Sequence, residues 1–486
     1  MTEHVHQVVF MKDRARTILA AALLAAGLTG CAALGPNHER PMLDVPSGFT
    51  VPGGAAAGNT TATAPVDLLV WWKSFQDPVL DGLLAEAAQN NQDLLLAAGR
   101  IEEARANEAI AASNRLPAVD ATAGANRSRS SQSTARLPPN TPAVNKDFQL
   151  GLNATYEIDF WGKFNRADEA ARARLLSQQA NRAVVLTTLY TTVAQNYFAL
   201  RAYDAQLALA GSALKTRQEN LRLQQKRFAA GSVGTLEMHQ AESEVAGTEV
   251  TRAQAQQAVA VMEAALAVLA GRSPRDIATP QIVRGATIDA LYAHLTAPLD
   301  LPADLLNRRP DIVAAEQALV AANADIGQAR AQYFPSIRLT SGIGYESNVL
   351  KDLISPASLL WNLGASLAQP VFRAGAIGAV VQGAQARKTQ AQAQYVQTVE
   401  NAFRDVHDAI TALSANDLIH GASNRRAKAL KDTLRLATLR YDNGYSSYLE
   451  VLTGQRDLLQ TQANIIDVQR AHLSAAVGLY RAVGGG

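Results

Sequence analysis

The residues able to do chemistry are few, and their spacing does not match a catalytic motif. Cys31 is the only cysteine among 486 residues, so a disulfide within one chain is excluded. The sequence has no HExxH zinc motif, no G-x-S-x-G nucleophile motif and no P-loop. Six histidines follow Cys31 without the spacing of metal ligands: His38, His239, His294, His407, His420 and His472. We therefore expect no enzymatic activity, no metal and no cofactor, and we place each histidine at a surface or an interface.

Cys31 ends a segment typical of a secretory signal. Three basic residues precede an uncharged stretch, residues 17–30, that is too short to cross a bilayer as a helix. Leu28-Thr29-Gly30-Cys31 resembles a lipobox, after which cleavage leaves the cysteine as the first residue. We therefore interpret 1–30 as a lipoprotein signal peptide and Cys31 as the lipid attachment site, carrying acyl chains such as palmitate. A free thiol beside an ordinary cleavage site is the alternative, and the chain can start at Met1 or at Met11.

The composition of the mature chain limits the classes of partner that it can bind. The formal net charge of the full sequence is +2, and loss of three cations and two carboxylates with the signal leaves about +1. This balance gives no electrostatic footprint for nucleic acid. The best candidate for a membrane helix, Val259 to Leu269, is interrupted by Glu263. An exported chain on a membrane must then lie on it or span it with strands.

The chain consists of two copies of one plan. Leu221-Arg222-Leu223 returns 213 residues later as Leu434-Arg435-Leu436, and Gly231 returns as Gly444. We place repeat 1 at 78–271 and repeat 2 at 302–482. The remaining segments are a lipid-anchored N-terminal linker at 31–77, an equatorial connector at 272–301 and a C-terminal tail at 483–486.

Each copy contains a long heptad pattern. The first stripe repeats every seven residues at Leu186, Val193, Leu200, Leu207, Leu214, Leu221 and Phe228. The second follows at Val399, Val406, Leu413, His420, Ala427, Leu434 and Tyr441. This spacing predicts a coiled-coil helix, which could run about 100 Å from Lys163 to Ala229 without a proline. On this stripe we expect His420 to be packed or hydrogen-bonded, not a proton switch.

Alternating apolar and polar residues predict four strands, two per copy. We place them at about 118–128, 148–159, 336–346 and 360–372. Such alternation with unequal loops is typical of membrane β-barrels, although an edge hairpin of a soluble sheet looks similar. Four strands leave two open edges, so closure requires several chains. Two chains give eight strands with a filled interior, whereas three give twelve and a usable channel.

At this point the chain resembles the outer membrane factor family, the TolC-like and OprM-like exit ducts of tripartite RND-type efflux pumps, in its NodT-type lipoprotein branch. The motifs that carry the resemblance are Trp72-Lys-Ser-Phe-Gln-Asp-Pro78, Leu305-Leu-Asn-Arg-Arg-Pro-Asp311, Ala321-Ala-Asn-Ala-Asp-Ile-Gly327, Phe334-Pro335, Gln369-Pro-Val-Phe372 and Tyr480-Arg-Ala-Val-Gly-Gly-Gly486. The resemblance implies a mainly α protein with a transmembrane β part. Its homotrimer has a 12-stranded β-barrel continued by a 12-helix periplasmic α-barrel, with two structural repeats per chain.

The resemblance also implies a function and partners. We expect a passive exit duct in the outer membrane for drugs or other small toxic compounds, anchored in outer membrane lipid. Energy comes from an inner-membrane RND-type pump linked by a periplasmic adaptor (membrane fusion) protein. Two alternatives stay open. One is an exit duct of a type I protein secretion system; the other is a non-conducting coiled-coil lipoprotein, which leaves the four strands unexplained.

The helix turns around Phe228 to Thr235 and Tyr441 to Ser447 are the expected docking tips for the adaptor. Glycine tolerates positive φ, which suits a tight reversal at such a turn. The named tip residues are Gly231, Ser232, Gly444 and Ser446. Turns without a partner are the alternative.

A periplasmic gate is expected on the last helix. Glu450, Asp457 and Asn464 form a polar column there, with Thr453, Gln460 and Asp467 beside it. Three chains would repeat each carboxylate as a ring. In the family an acidic residue closes this end, but its place falls on Thr453. Glu450 is our substitute, with Tyr441 and Leu449 as constriction partners and Asp457 as the next candidate; a solvated outer face is the alternative.

Overall fold

The computed structural model describes residues 34–44, 68–131, 143–294 and 308–485. Cys31 and the signal peptide lie outside the described residues. The chain divides into two compact units. The first comprises Met1–Pro41, Ile101–Ser177 and Ala315–Gln394; the second comprises Met42–Arg100, Gln178–Ala314 and Tyr395–Gly486.

Long helices dominate, and they come in pairs of equal length. In chain order the α-helices of the described residues are α1 (Pro78–Asn90), α2 (Gln92–Ser113), α3 (Lys163–Ala229), α4 (Thr235–Leu269), α5 (Pro274–Ala278), α6 (Ile288–His294), α7 (Pro310–Ala331), α8 (Ala376–Asp442) and α9 (Tyr448–Ala482). The matched helices α3 and α8 have 67 residues each, and α4 and α9 have 35 each. Over the parts of the chain described, no helix combines the length and apolarity needed to cross a bilayer.

The heptad stripes form the packed faces of α3 and α8. Val193 and Leu200 on α3 are buried, as are Val399 and Val406 on α8. His420 is half-buried and its ring packs against a tyrosine ring at an interplanar angle of 45°, so the prediction of a packed imidazole is confirmed. His472 is buried instead of lying at a surface, which the scattered spacing of the histidines did not indicate.

A single helix does not extend through 78–116, because Asn91 interrupts it. The Asn91 backbone N–H donates to the Ala87 carbonyl (3.0 Å), while its side-chain oxygen accepts from the Asp93 N–H (2.8 Å). The side-chain nitrogen donates to the Leu269 carbonyl at 3.0 Å. Asparagine competes with helical hydrogen bonds in this way, so α1 and α2 are separate helices.

The first unit contains one antiparallel sheet in the order β1-β2-β3-β4. Its strands are β1 (Ala118–Arg129), β2 (Val144–Ile158), β3 (Ser336–Ser347) and β4 (Leu359–Ala368). β2 begins before the predicted 148, because Val144 pairs with Arg129. β4 ends before the predicted 372, since Pro370 has no N–H to continue the ladder. Within the described sheet β1 and β4 each have one neighbouring strand, so two edges stay open.

The sheet has one apolar and one polar face. Leu152, Ile343 and Trp361 are paired across three strands, and all three are exposed. One position along, Asn153 pairs with Gly342, which pairs with Asn362. The apolar face therefore has no cover within the described chain, although burial of apolar side chains is strongly favoured in water.

Part of the expected N-terminal linker belongs to the core of the second unit. Leu68–Phe75 form a 3-10 helix whose Trp71 and Phe75 are fully buried. Next to it, Asp77 Oδ1 caps α1 by accepting from the Val79 N–H at 2.9 Å, and Oδ2 accepts from the Tyr197 hydroxyl at 2.6 Å. Aromatic burial and helix capping thus fix the last ten residues of the expected linker, 68–77, within the second unit.

Candidate functional site

The two helix turns have the geometry that the glycines predict. Gly231 follows α3 with φ of 71° and Gly444 follows α8 with φ of 76°, so both are left-handed. The Ser232 hydroxyl donates to the Arg227 carbonyl at 2.9 Å. The Ser446 hydroxyl oxygen is buried, whereas the neighbouring Tyr445 is 78% exposed. Tyr445 is therefore the more accessible side chain of the second turn.

Tyr441, on α8, contacts α3 close to these turns. Its hydroxyl donates to Gln224 Oε1 at 3.2 Å, and the Arg227 guanidinium lies over its ring at 5.3 Å. Arg227 also donates to Asp442 Oδ1 at 3.2 Å. Three contacts thus join α3 to α8 within one turn of helix.

The other predicted gate residues lie on an exposed face of α9. Leu449 is 53% exposed, and Thr453 and Asp457 are exposed as well. Glu450 Oε2 lies 3.8 Å from Arg440 Nη1, and both side chains are about half exposed. The structure therefore brings Tyr441 into a network but leaves these four residues accessible.

A buried carboxylate, missed in the sequence, joins α9 to α3 and α4. Glu244 is 6% exposed; its Oε2 lies 2.7 Å from Arg217 Nη1, and its Oε1 accepts from Arg456 Nε at 2.6 Å. Arg217 also donates to Thr248 Oγ1 at 2.6 Å. The signal in the sequence was its helical spacing. Glu244 follows Ala241 by three residues and precedes Thr248 by four, which places it on the face of α4 where both are buried.

We name these contacts the interlock. Its members are Arg217, Gln224, Arg227, Glu244, Tyr441, Asp442 and Arg456. A cavity of about 670 Å³ lies beside it, and its lining includes the polar side chains Arg217, Glu244, Arg456, Gln460 and Asp467. Asp467 Oδ1 accepts from Gln206 Nε2 at 3.0 Å across this cavity. The interlock is thus a set of polar contacts next to water-accessible space, where such contacts can exchange for water.

The N-terminal segment, residues 34–44, is held through Leu34, Pro36 and Arg40 by other residues of the first unit. Arg40 donates to both carboxylate oxygens of Glu316 at 2.8 and 2.5 Å. Asn323 Nδ2 donates to the Pro36 carbonyl at 2.7 Å, and Arg166 Nε donates to the Leu34 carbonyl at 3.1 Å.

The chain matches known proteins over most of its length. The family model of the outer membrane efflux protein matches residues 83–272 and 301–485. The cation efflux system protein CusC of Escherichia coli (strain K12) is 34% identical over 464 residues, covering 95% of this chain and 98% of CusC. The probable outer membrane lipoprotein SilC of Salmonella typhimurium is 31% identical, covering 94% and 96%.

A solved structure shows the same fold. The Campylobacter jejuni CmeC outer membrane channel superimposes with a TM-score of 0.86 at 25% identity, covering 94% of this chain and 95% of CmeC. CusC is a cation efflux system protein and CmeC an outer membrane channel, and the shared fold is TolC-like. The chain therefore belongs to the outer membrane efflux protein family and is the outer membrane channel component of an efflux system.

Proposed function

We propose that three copies of the chain close into a 12-stranded barrel and form a passive duct, supplied by an inner-membrane RND-type pump through a periplasmic adaptor. The observation that carries the proposal is the two-faced sheet with open edges at β1 and β4. Pairing β4 of one copy with β1 of the next satisfies the unpaired backbone groups. The apolar face then meets lipid and the polar face lines water.

The number three follows from the space inside a closed sheet. Eight strands leave an interior that side chains fill, whereas twelve leave room for a channel. The experiment is subunit counting by native mass spectrometry on the purified protein, followed by conductance recording in planar bilayers. We expect trimers that conduct. Trimers that conduct neither as wild type nor as Arg456→Ala would support the coiled-coil lipoprotein alternative, and stable dimers would contradict the barrel.

We propose that the interlock closes the duct. It connects α3 to α8 and α4 to α9, near the turns that follow α3 and α8. The helices of the first repeat can therefore move away from those of the second only if these contacts break. Of the residues predicted from the sequence, Tyr441 is a member. The other four predicted gate residues lie outside the interlock on the exposed face of α9. Leu449 and Glu450 are near its start, and Thr453 and Asp457 are further along.

Adaptor docking is proposed at the two turns. Gly231 and Ser232 occupy the first turn, and Gly444 and Ser446 the second. Cysteine at Ser232 should crosslink to an adaptor in cells, and Tyr445 is a better second site than Ser446, whose hydroxyl is buried. Ser212, exposed in the middle of α3, is the matched control that should not crosslink. Crosslinking only at Ser212 would remove the docking proposal.

A cationic cargo is favoured by the polar face of the sheet. The strand residues on this face include four carboxylates and one guanidinium: Asp120, Asp147, Glu157, Glu346 and Arg338. Lys163 of α3 binds Glu157 at 2.9 Å, so two cations offset part of this negative charge. Carboxylates lining a pore attract cations. The relative CusC is named for cation efflux. Reversal potentials in a salt gradient should show cation selectivity, reduced in Asp120→Asn with Glu346→Gln; anion selectivity would contradict this assignment of cargo.

A further inference from the structure

One tyrosine of the connector contacts two imidazoles and a carboxylate. The ring of Tyr292, on α6, lies 4.4 Å from the His420 ring and 5.0 Å from the His472 ring. Its hydroxyl donates to Asp417 Oδ1 at 3.2 Å. His420 and Asp417 belong to α8 and His472 belongs to α9, so this cluster joins three helices.

Apolar packing beside Tyr292 also fixes α6. Ile288 and Leu291 are buried in the main core of the second unit. Asp289 Oδ1 accepts from Gln469 Nε2 at 2.8 Å, which adds a second polar contact to α9. Any loosening of the cluster is therefore a local opening at Tyr292, with the apolar side of α6 still packed.

His472 is a buried titratable group with an unsatisfied nitrogen. The residue is 7% exposed, and its Nδ1 lies 3.4 Å from Asp417 Oδ1 without a hydrogen-bond partner among the described residues. Burial lowers the pKa of His472; the Asp417 carboxylate opposes this shift, while the His420 ring adds to it. The packed cluster thus favours the neutral imidazole.

We infer that Tyr292, Asp417, His420 and His472 form a proton-sensitive latch, which holds α6 against α8 and α9 at neutral pH and loosens when His472 takes up a proton.

The surrounding charges support this direction. Among the described residues, Asp417 is the carboxylate that faces His472 Nδ1. Its side chain is 63% exposed, so water screens its attraction. On α9 itself, Arg470 and Asp467 lie 3.9 Å apart and offset each other. On α6, the described contact of Asp289 is the Gln469 amide. Because the packed state disfavours the imidazolium, protonation below about pH 6.5 favours the looser state.

The latch is specific to the second repeat. At the offset of 213 residues, Leu207 and Val259 take the places of His420 and His472 in the first repeat. Asp204 takes the place of Asp417 and binds Arg284 of the connector at 3.0 Å. A guanidinium stays charged at every physiological pH. The connector is therefore held by a permanent charge on one repeat and by a titratable cluster on the other.

Hydrogen exchange on the purified full-length protein in detergent tests the latch. We measure peptides covering 288–294 at pH 7.5 and pH 5.5, corrected for the intrinsic pH dependence of exchange. Wild type should exchange faster at pH 5.5, by at most about tenfold per pH unit. His472→Gln should show the same corrected rate at both values. His407→Gln, exposed on α8, is the matched control and should behave like wild type.

Two further variants keep the latch testable if His472→Gln misfolds. Asp417→Asn removes the charge that favours the imidazolium, so the midpoint of the exchange transition should move to lower pH. His420→Gln removes a group that lowers the pKa of His472, so the midpoint should move to higher pH. A corrected rate that is independent of pH in wild type, or midpoints that do not move, would overturn the latch.

Discussion

Asp204 and Asp417 lie 213 residues apart in the sequence, and both bind the same connector. Asp204 accepts from Arg284 at 3.0 and 3.2 Å and from Arg201 at 2.6 Å. Asp417 accepts from the Tyr292 hydroxyl at 3.2 Å. The two repeats thus use equivalent carboxylates for two different attachments, one ionic and one neutral.

Their replacement should have unequal effects on stability. Asp204→Asn leaves the buried Arg201 guanidinium without its counter-charge and leaves Arg284 with Glu263 alone, so we expect a loss of about 2 kcal/mol in the free energy of unfolding. Asp417→Asn affects an exposed carboxylate and should cost less than about 1 kcal/mol. Urea unfolding of the purified protein measures both. Equal losses would mean that the connector does not depend on the Arg284 pair.

Glu244 should be the most sensitive member of the interlock. Glu244→Ala leaves the buried Arg217 guanidinium unpaired, and we expect a loss of about 3 kcal/mol. Arg456→Ala should cost under about 1 kcal/mol, because the Arg456 side chain is 57% exposed and Glu244 keeps Arg217.

Arg456→Ala therefore tests the role of the interlock in closing the duct without a large loss of stability. It removes a link between α9 and α4 while the fold is kept, so resting conductance in planar bilayers should rise. Arg470→Ala, on the same helix and outside the interlock, is the control and should conduct like wild type. A rise in Arg470→Ala as large as in Arg456→Ala would argue against the interlock as the gate.

Tyr441→Phe should open the duct more than Glu450→Ala. The first change removes a hydrogen bond to Gln224 that contributes about 1 kcal/mol, whereas Glu450 and Arg440 are exposed and 3.8 Å apart. The double variant should show higher resting conductance and weaker cation preference. Asp457→Ala provides the comparison on the same exposed face. If recordings of the double variant match wild type, Glu450 is a surface charge without a role in closure, and Asp457 is the next candidate.

Binding of the N-terminal segment should weaken in acid. The hydrogen-bonded Arg40 guanidinium lowers the pKa of Glu316, against the effect of burial. A carboxylate with a lowered pKa contributes stability above its unfolded pKa of about 4.3 and loses it as the pH falls through the lower folded value. Exchange of residues 34–44 should therefore rise below about pH 4.

Glu316→Gln tests the assignment of this acid effect. It should raise exchange of residues 34–44 already at pH 7 and abolish the rise in acid. Glu39→Gln, exposed in the same segment, should leave both unchanged. An acid transition that persists in Glu316→Gln would assign it to a different group.

Cys31→Ser should abolish lipidation without abolishing insertion. The sulfur is the proposed acyl acceptor, whereas the exposed apolar face of the sheet offers far more area to lipid than acyl chains do. Radiolabelled fatty acid should be absent from the variant, while trimers are still recovered from membranes. Equal incorporation into wild type and Cys31→Ser would show that the lipid is attached elsewhere.

The sequence alone determined the repeating elements. Burial of Val193 and Val406 follows from heptad spacing, because a helix returns the same face to its neighbour at each heptad. The alternation in β2 and β4 predicted strands for the same local reason, and Gly231 and Gly444 predicted the turns through their freedom at positive φ.

Only the tertiary structure decided which distant side chains meet. Glu244 and Arg456 are 212 residues apart, and Tyr292 and His420 are separated by most of a repeat. Their contacts depend on the rotation and register of packed helices, which a change of one residue in helix phase would abolish. Periodicity identifies the buried face of each helix, but a charged partner is chosen by three-dimensional proximity. The interlock and the latch could therefore not be predicted from the chain itself.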